Sequence, residues 1–346
     1  MCPFGQMFDS QIIQRYDPQG MHKLYDRWPE IAMESFEMAQ DCVDFKNPNH
    51  VVFAGMGGSG LVNEVLISLY SKNQDQISKV NGFDIPAHLT SNDVFIATSV
   101  SGNTLETLTA LDSARKIGCR IIAFSSGGKI EDYCKKYGLE HRMVPIFHSP
   151  RTSFTSFLYS MLRVLQPILP ITEVDVRESL VELSSLKQKI YLLNRTETNP
   201  ALNLAAWFSK TPVIYYSKTL ETSAVRLKNS FNENAKSHAV TNELLEACHN
   251  DIVSWELPAT SKPIMVRAKN DDKRTVETWE IMKEFFEEKE IEYKEIFSNN
   301  GKILSQLVGL IYLFDYSTIY YTIKCGINPS PIVSTEFFKN KRKTFS

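Results

Sequence analysis

Short apolar runs, each followed by a stretch of helical periodicity, recur along this chain, and that alternation limits the folds open to it. Val51–Ala54, 94–98 and 119–124 are such runs in the first half, with Val144, Pro145 and Ile146 as the last candidate there. Residues 212–216, 263–267 and 293–297 are their counterparts in the second half. Helical patterns fall at 29–42, 61–70 and Leu105–Ile117, and then at 221–236, 275–288 and Ile303–Lys324. Runs apolar on both faces suit strands covered on both sides, and their alternation with helices predicts parallel sheets flanked by helices. The expected fold is α/β, with two doubly wound parallel-sheet domains in tandem. Residues 1–160 hold an N-terminal helix and the first sheet. Residues 161–346 hold connector helices, including 172–193, the second sheet and a C-terminal tail.

In a doubly wound sheet ligands sit beyond the carboxyl ends of the strands, at a switch point. Three turns of the first half fall there: Gly55-Met56-Gly57-Gly58-Ser59-Gly60, Ser99-Val100-Ser101-Gly102-Asn103-Thr104, and Ser125-Ser126-Gly127-Gly128. The second carries the clearest chemistry. A helix start leaves N–H groups without intrahelical partners, and the helix dipole favours negative charge. Ser99, Ser101 and Thr104 add hydroxyl donors. Asn103 is placed to cap the helix, with Glu106 as its box partner. The turn lacks Lys and Arg, which suits one phosphomonoester better than a triphosphate loop with its Gly-Lys-Ser/Thr and metal. The plainer reading is an ordinary helix cap, since Ser, Thr and Asn precede many helices.

Gly55, Gly57 and Gly60 match the dinucleotide string G-x-G-x-x-G, which is weak by itself. Such a loop would want an acid about 20 residues on at a strand end. The Asp75 region reads instead as polar loop, so a sugar-phosphate site is expected over a dinucleotide site. After Arg267 the second half has Ala268-Lys269-Asn270-Asp271-Asp272, acids where the first half has hydroxyls. One phosphate site per chain is therefore expected, in the first domain.

Bulk properties exclude several classes. At 346 residues, 43% hydrophobic and 23% charged, the chain is globular and long enough for two cores. A net charge of −2 gives no field to hold nucleic acid. The one basic cluster, Lys339, Lys341, Arg342 and Lys343, reads as a solvated tail. Six scattered cysteines, Cys2, Cys42, Cys119, Cys134, Cys248 and Cys325, form no C-x-x-C pair, and the seven histidines show no H-E-x-x-H. No metal is expected. Reduced thiols, no signal peptide and apolar runs too short for a bilayer predict a cytoplasmic protein without membrane contact.

On residue type alone, Glu233 in Asn232-Glu233-Asn234-Ala235-Lys236 is a solvated helix acid, and His249 in Cys248-His249-Asn250-Asp251 a hydrogen-bonded imidazole. Their order with the other motifs says more. Gly57-Gly58-Ser59-Gly60, the Ser99 to Thr104 turn, Pro150-Arg151, the Glu233 and His249 segments, and Pro329-x-Pro331 through Lys339 together span nearly the whole chain. This combination resembles the bifunctional phosphoglucose/phosphomannose isomerase family, built from two sugar-isomerase (SIS) domains.

The resemblance implies aldose–ketose isomerisation of hexose 6-phosphates, glucose 6-phosphate first and mannose 6-phosphate as a second substrate, through a cis-enediol and without a cofactor. It implies that Gly58, Ser59, Ser99, Ser101 and Thr104 hold the phosphate and that Glu233 relays the proton. His249 and Lys339 would assist ring opening, and Arg151 would stabilise the enediolate. It also implies a homodimer in which His249 completes the neighbour's site. These roles are chemically sound. A carboxylate near its reference pKa of about 4.3 needs partial desolvation to act as a base near neutrality. Arg151 stays charged beside a developing oxyanion, its plainer role being a surface ion pair. His exchanges protons near pH 7.

Three positions depart from the family pattern. The usual Asn-His-Asn-Glu is Cys248-His249-Asn250-Asp251, a usual proline is His238, and Lys339 is placed by its distance from Pro331. The alternatives are another sugar-phosphate isomerase or synthase of this architecture, or a protein that binds a sugar phosphate without reacting.

Overall fold

The computed structural model describes residues 8–38, 40–45, 48–70, 76–192 and 194–342. Cys2, Asp75, Lys343 and position 193, the expected end of the connector helix, lie outside the described residues. The chain divides into two compact units. One comprises Arg27–Ser184 with Gly301–Leu307; the other takes the described residues of Met1–Asp26, Ser185–Asn300 and Val308–Ser346.

This division differs from one cut at 160/161. Residue 160 lies inside the Phe154–Val164 helix of the first unit. Residues 8–26 group with the second sheet because the long helix Ile303–Lys324 holds them. Tyr312 donates its hydroxyl to the Tyr25 carbonyl at 2.7 Å, Tyr316 donates to Asp26 at 2.6 Å, and Phe8 sits edge-on to Tyr320.

The first unit carries strands β1 (Val51–Ala54), β2 (Ile77–Val80), β3 (Val94–Ser99), β4 (Arg120–Ser125) and β5 (Glu140–Met143). They are all parallel, in the order β2-β1-β3-β4-β5. The chain leaves β1 toward one side of the sheet and returns as β3 on the other. The switch point is thus between β1 and β3, whose residues Val51 to Ala54 pair with Val94 to Ala97. Both strands are buried throughout, which is why they read as unbroken apolar runs.

The second unit repeats the topology with β6 (Thr211–Tyr216), β7 (Val240–Glu243), β8 (Ser261–Arg267) and β9 (Lys294–Phe297), parallel and ordered β7-β6-β8-β9. Its core gathers Tyr215, Met265, Trp279, Met282 and Phe286 on one face. The expected α/β class and paired parallel sheets are what the chain forms.

Four details differ from the sequence reading. The last strand of the first sheet is Glu140–Met143, not 144–146; an edge strand paired on one side tolerates Glu, His and Arg, while Val144 only donates its N–H to Ser125 beyond the ladder. The edge strands β2 and β7 are short and polar and have no apolar run to announce them. Lys339, Lys341 and Arg342 of the basic cluster belong to a helix, Val333–Arg342, rather than a tail. Finally, Ile303–Lys324 is long and apolar enough to cross a membrane by length and composition, so the expectation of uniformly short runs fails. Within the fold, 89% of its most apolar window is buried.

Candidate functional site

The turns after β1 and β3 meet at the first unit's switch point. The glycine string after β1 is itself the first turn of a helix, Gly57–Ser68, which starts before the expected Leu61. Its N-cap, Met56, makes no side-chain capping bond. Gly55 is needed because a side chain there would begin 2.9 Å from the Thr98 carbonyl. After β3 the helix Leu105–Ile117 starts at Thr104, which also lacks a side-chain cap. Two helix starts uncapped by their own N-cap side chains, side by side, form a place for an anion.

Asn103 does not cap, and no box with Glu106 forms. Its amide donates to the Ser101 carbonyl at 2.8 Å and accepts from the Lys129 N–H at 3.2 Å. Asn103 is thus spent tying the Ser99 turn to the next one, and Thr104 takes its place at the helix start.

The hydroxyls converge. Ser59 is buried and accepts from the Val100 N–H at 3.0 Å, which joins the two turns and leaves its own hydrogen to donate. Ser99, also buried, lies 2.9 Å from the Thr104 hydroxyl. Ser101 is half-buried and accepts from the Asn103 N–H at 3.3 Å; Gly58 is half-buried in the facing helix turn. All five expected phosphate residues therefore belong to the two turns at this switch point.

Two supports hold these turns, and the first carried no signal in the sequence. Thr98 donates to Asn63 at 2.9 Å, pinning the helix after the glycine turn to β3 just before Ser99. Beneath the Ser99 turn lies the third one: Ser126 donates its N–H and its hydroxyl to the Val100 carbonyl at 3.1 and 2.6 Å. Gly102 has φ +66°, and a side chain there would begin 1.7 Å from the Gly127 carbonyl oxygen.

Arg151 is 3% exposed, so the surface ion-pair reading fails. The segment holding it is locked by Trp28, which donates to the Thr152 carbonyl at 2.9 Å, and by the Ser149–Thr152 hydroxyl pair at 2.9 Å. Pro150 packs on the first turn of the Gly57–Ser68 helix, its carbonyl 3.6 Å from where a Gly58 side chain would start.

In the second unit Glu233 is the last residue of the helix Glu221–Glu233 and is half-buried. The helix ends because Lys236 adopts a left-handed conformation, φ 54°, and Ser237 donates back to the Phe231 carbonyl at 3.2 Å. Lys236 turns its ammonium onto the Glu233 and Pro329 carbonyls at 2.5 and 2.9 Å. His238, the departure from the family proline, is exposed beyond this stop.

His249 is exposed in the turn after the short helix Leu244–Ala247, its backbone N–H on the Glu246 carbonyl at 3.0 Å. Its neighbours explain one departure. Asp251 accepts a hydrogen bond from Tyr215 of β6, whose hydroxyl also accepts from Trp255 at 2.5 Å. Burial and Asp251 together push the Tyr215 phenol far above its usual range, so it stays a donor. Asp251 thereby anchors the His249 turn to the sheet. Cys248 is exposed beside it. Lys339 is exposed on the helix Val333–Arg342, among the exposed side chains Val333, Phe337 and Phe338.

Residues 197–341 match the family described as the bacterial phospho-glucose isomerase C-terminal SIS domain. A bifunctional phosphoglucose/phosphomannose isomerase of Caldicellulosiruptor bescii is 30% identical over 326 residues, covering 90% of this chain and 96% of that protein. One from Thermoplasma acidophilum is 27% identical, over 85% of this chain and 89% of its own length. Among solved structures, a hypothetical protein of Thermus thermophilus shares the fold with a TM-score of 0.70 at 14% identity, covering 97% of this chain and 93% of that one. With twin parallel sheets of one topology and a likeness that runs almost end to end, the chain belongs to the bifunctional phosphoglucose/phosphomannose isomerase family.

Proposed function

We propose that this protein interconverts glucose 6-phosphate and fructose 6-phosphate, and mannose 6-phosphate and fructose 6-phosphate, by proton transfer between C1 and C2 through a cis-enediol. Family membership supports the reaction class. The observation that carries the substrate class is the convergence of Ser59, Ser99, Ser101 and Thr104 on two uncapped helix starts without a lysine or arginine on either turn. Such a cradle takes one phosphate through hydroxyl and N–H donors.

In this reading the phosphate grip supplies binding energy remote from the reacting carbons and orients C1 and C2. Glu233 takes the proton from C2 of the open-chain aldose as the C1=O π electrons move to O1, and returns it to C1 while the O2 hydroxyl proton passes to O1 and the ketose carbonyl forms at C2. Arg151, a fixed cation, stabilises negative charge on the enediolate oxygen. His249 and Lys339 exchange protons with the ring oxygen and O1 during ring opening. The exposure of His249 and Lys339 supports service to a second copy of the chain, in a homodimer whose sites are shared. A cytoplasmic setting agrees with the five free cysteines among the described residues.

The test is turnover of fructose 6-phosphate by the purified protein, scoring glucose and mannose 6-phosphates separately with a chelator present. Both products should form at rates the chelator leaves unchanged. Binding without turnover would leave only the sugar-phosphate-binding reading. Loss of activity on chelation would refute the metal-free mechanism.

A further inference from the structure

The long apolar helix Ile303–Lys324 carries one carboxylate, Asp315, that is 0% exposed. Its partner is Arg226, 3% exposed, in the middle of the helix that ends at Glu233. Arg226 Nε donates to the two Asp315 oxygens at 2.8 and 3.1 Å, and a second guanidinium nitrogen also reaches Asp315. Ser230 donates to the same carboxylate at 2.5 Å. One turn further along the core helix, Thr318 donates to the Asp315 carbonyl at 2.7 Å and accepts from the Asn234 side chain at 2.9 Å. Asn234 follows Glu233 directly and is itself fully buried.

A buried ion pair is poor evidence for stability. Two charges taken out of water lose hydration that their attraction repays only with full hydrogen bonding, and apolar replacements of both partners are often neutral or stabilising. The retained pair therefore asks for another role, and the geometry points to one. Arg226, Ser230 and Glu233 occupy one face of the helix at spacings of four and three residues. Asp315 grips the first two, Thr318 grips the residue after the third, and Glu233 acts electrostatically on Arg226. We propose that Asp315 and Arg226, with Ser230 and Thr318, are positioning residues that fix the rotation and terminus of the helix presenting Glu233 to substrate. The proposal rests on the assignment of Glu233 as the proton-relaying base. Burial disfavours the Arg226 charge, but Asp315 and, more weakly, Glu233 raise its pKa on balance, so the guanidinium remains the fixed point of this arrangement.

The experiment compares the paired replacement Arg226→Met/Asp315→Leu with wild type by thermal melting and steady-state turnover of fructose 6-phosphate. The variant should melt at or above the wild-type temperature. Its kcat should fall about tenfold to a hundredfold, as for a misplaced catalytic group. KM should stay within about twofold, because the phosphate grip is untouched. Arg226→Lys, which keeps the charge but loses the fork, should recover part of kcat. A folded double variant with wild-type kcat overturns the proposal. Should that variant not fold, Ser230→Ala/Thr318→Val decides: a lowered kcat at constant KM supports it and an unchanged kcat overturns it. Glu233→Gln run alongside separates the two claims. Wild-type turnover in that variant removes the base assignment itself, whereas an inactive Glu233→Gln beside a fully active Arg226→Met/Asp315→Leu removes only the positioning role.

Discussion

Gly102→Ala tests whether the Ser99 turn grips the phosphate. Gly102 has φ +66°, which costs an L-residue about 1–2 kcal/mol. The larger effect is steric. The new methyl would start 1.7 Å from the Gly127 carbonyl oxygen and 2.7 Å from its carbon. An ordinary carbon–oxygen approach is about 3.3 Å, so one turn must retreat by about 1.6 Å. The Gly127 carbonyl is held within its own turn by Ser125, which donates to it at 2.8 Å. Because Ser126 bonds Val100 and Lys129 bonds Asn103, the two turns are tied together and share the displacement, which shifts Ser101 and Thr104. Losing two hydroxyl bonds to a phosphate at about 1.5–3 kcal/mol each removes at least about 3 kcal/mol of binding. That is about a hundredfold in affinity.

Gly138→Ala is the matched control. Its φ is +65°, yet nothing lies within 4 Å of the added methyl, so it meets the same backbone strain without the displacement. Steady-state turnover of fructose 6-phosphate and thermal melting should show both variants destabilised and only Gly102→Ala raised in KM, by about a hundredfold. A folded Gly102→Ala protein with KM within about threefold of wild type would refute the assignment of the phosphate to this turn.

Other outcomes are equally definite. Glu233→Gln and His249→Ala should each be inactive, but mixing and reassociating the two should restore about a quarter of wild-type activity if each site draws its histidine from the partner; no recovery places both groups in one chain's site. Asp17 is fully buried, and although burial raises its pKa, bonds from the His22 ring and the His22 and Met21 N–H groups lower it on balance below the ordinary 3.8. A depressed folded pKa means stability present at neutral pH and lost as pH falls through 3.8 and below. Asp17→Asn should thus lower Tm at pH 7 by a margin that narrows below about pH 4, and a margin constant with pH would contradict this. Calorimetric titration with fructose 6-phosphate should give one site per chain, and two sites per chain would show that the second sheet also binds.

What the sequence made legible follows from what drives each element. Central strands such as β1, β3 and β8 are covered on both faces, so burial itself writes an apolar run into them. The edge strands β2, β5 and β7 are specified by ladder pairing with a neighbour, and that information sits in another part of the chain. The same limit governs the site. Ser59, Ser99 and Thr104 were visible because local turns and helix starts select hydroxyls. Asn63, Thr98, Arg226 and Asp315 act across 35 and 89 positions of sequence, and a lone Asp within an apolar helix carries no mark of its partner. Asn103 departs from its capping preference for a related reason. Its capping preference is real but local, and a tertiary bond to Lys129 overrode it.

The two sheets share one topology but differ at the place where it can receive an anion. In each, the chain reverses direction across its first two central strands, so each has a switch point able to receive an anion. After β3 the turn offers hydroxyls with unspent hydrogens. After β8 the corresponding turn supplies an anion of its own: Asp271 accepts from the Ala268 N–H at 3.1 Å and from the Trp279 indole at 3.2 Å. Burial raises the Asp271 pKa. A phosphate arriving there would meet both a filled set of donors and a like charge. The helix after β6 instead carries an acid at its far end, Glu233.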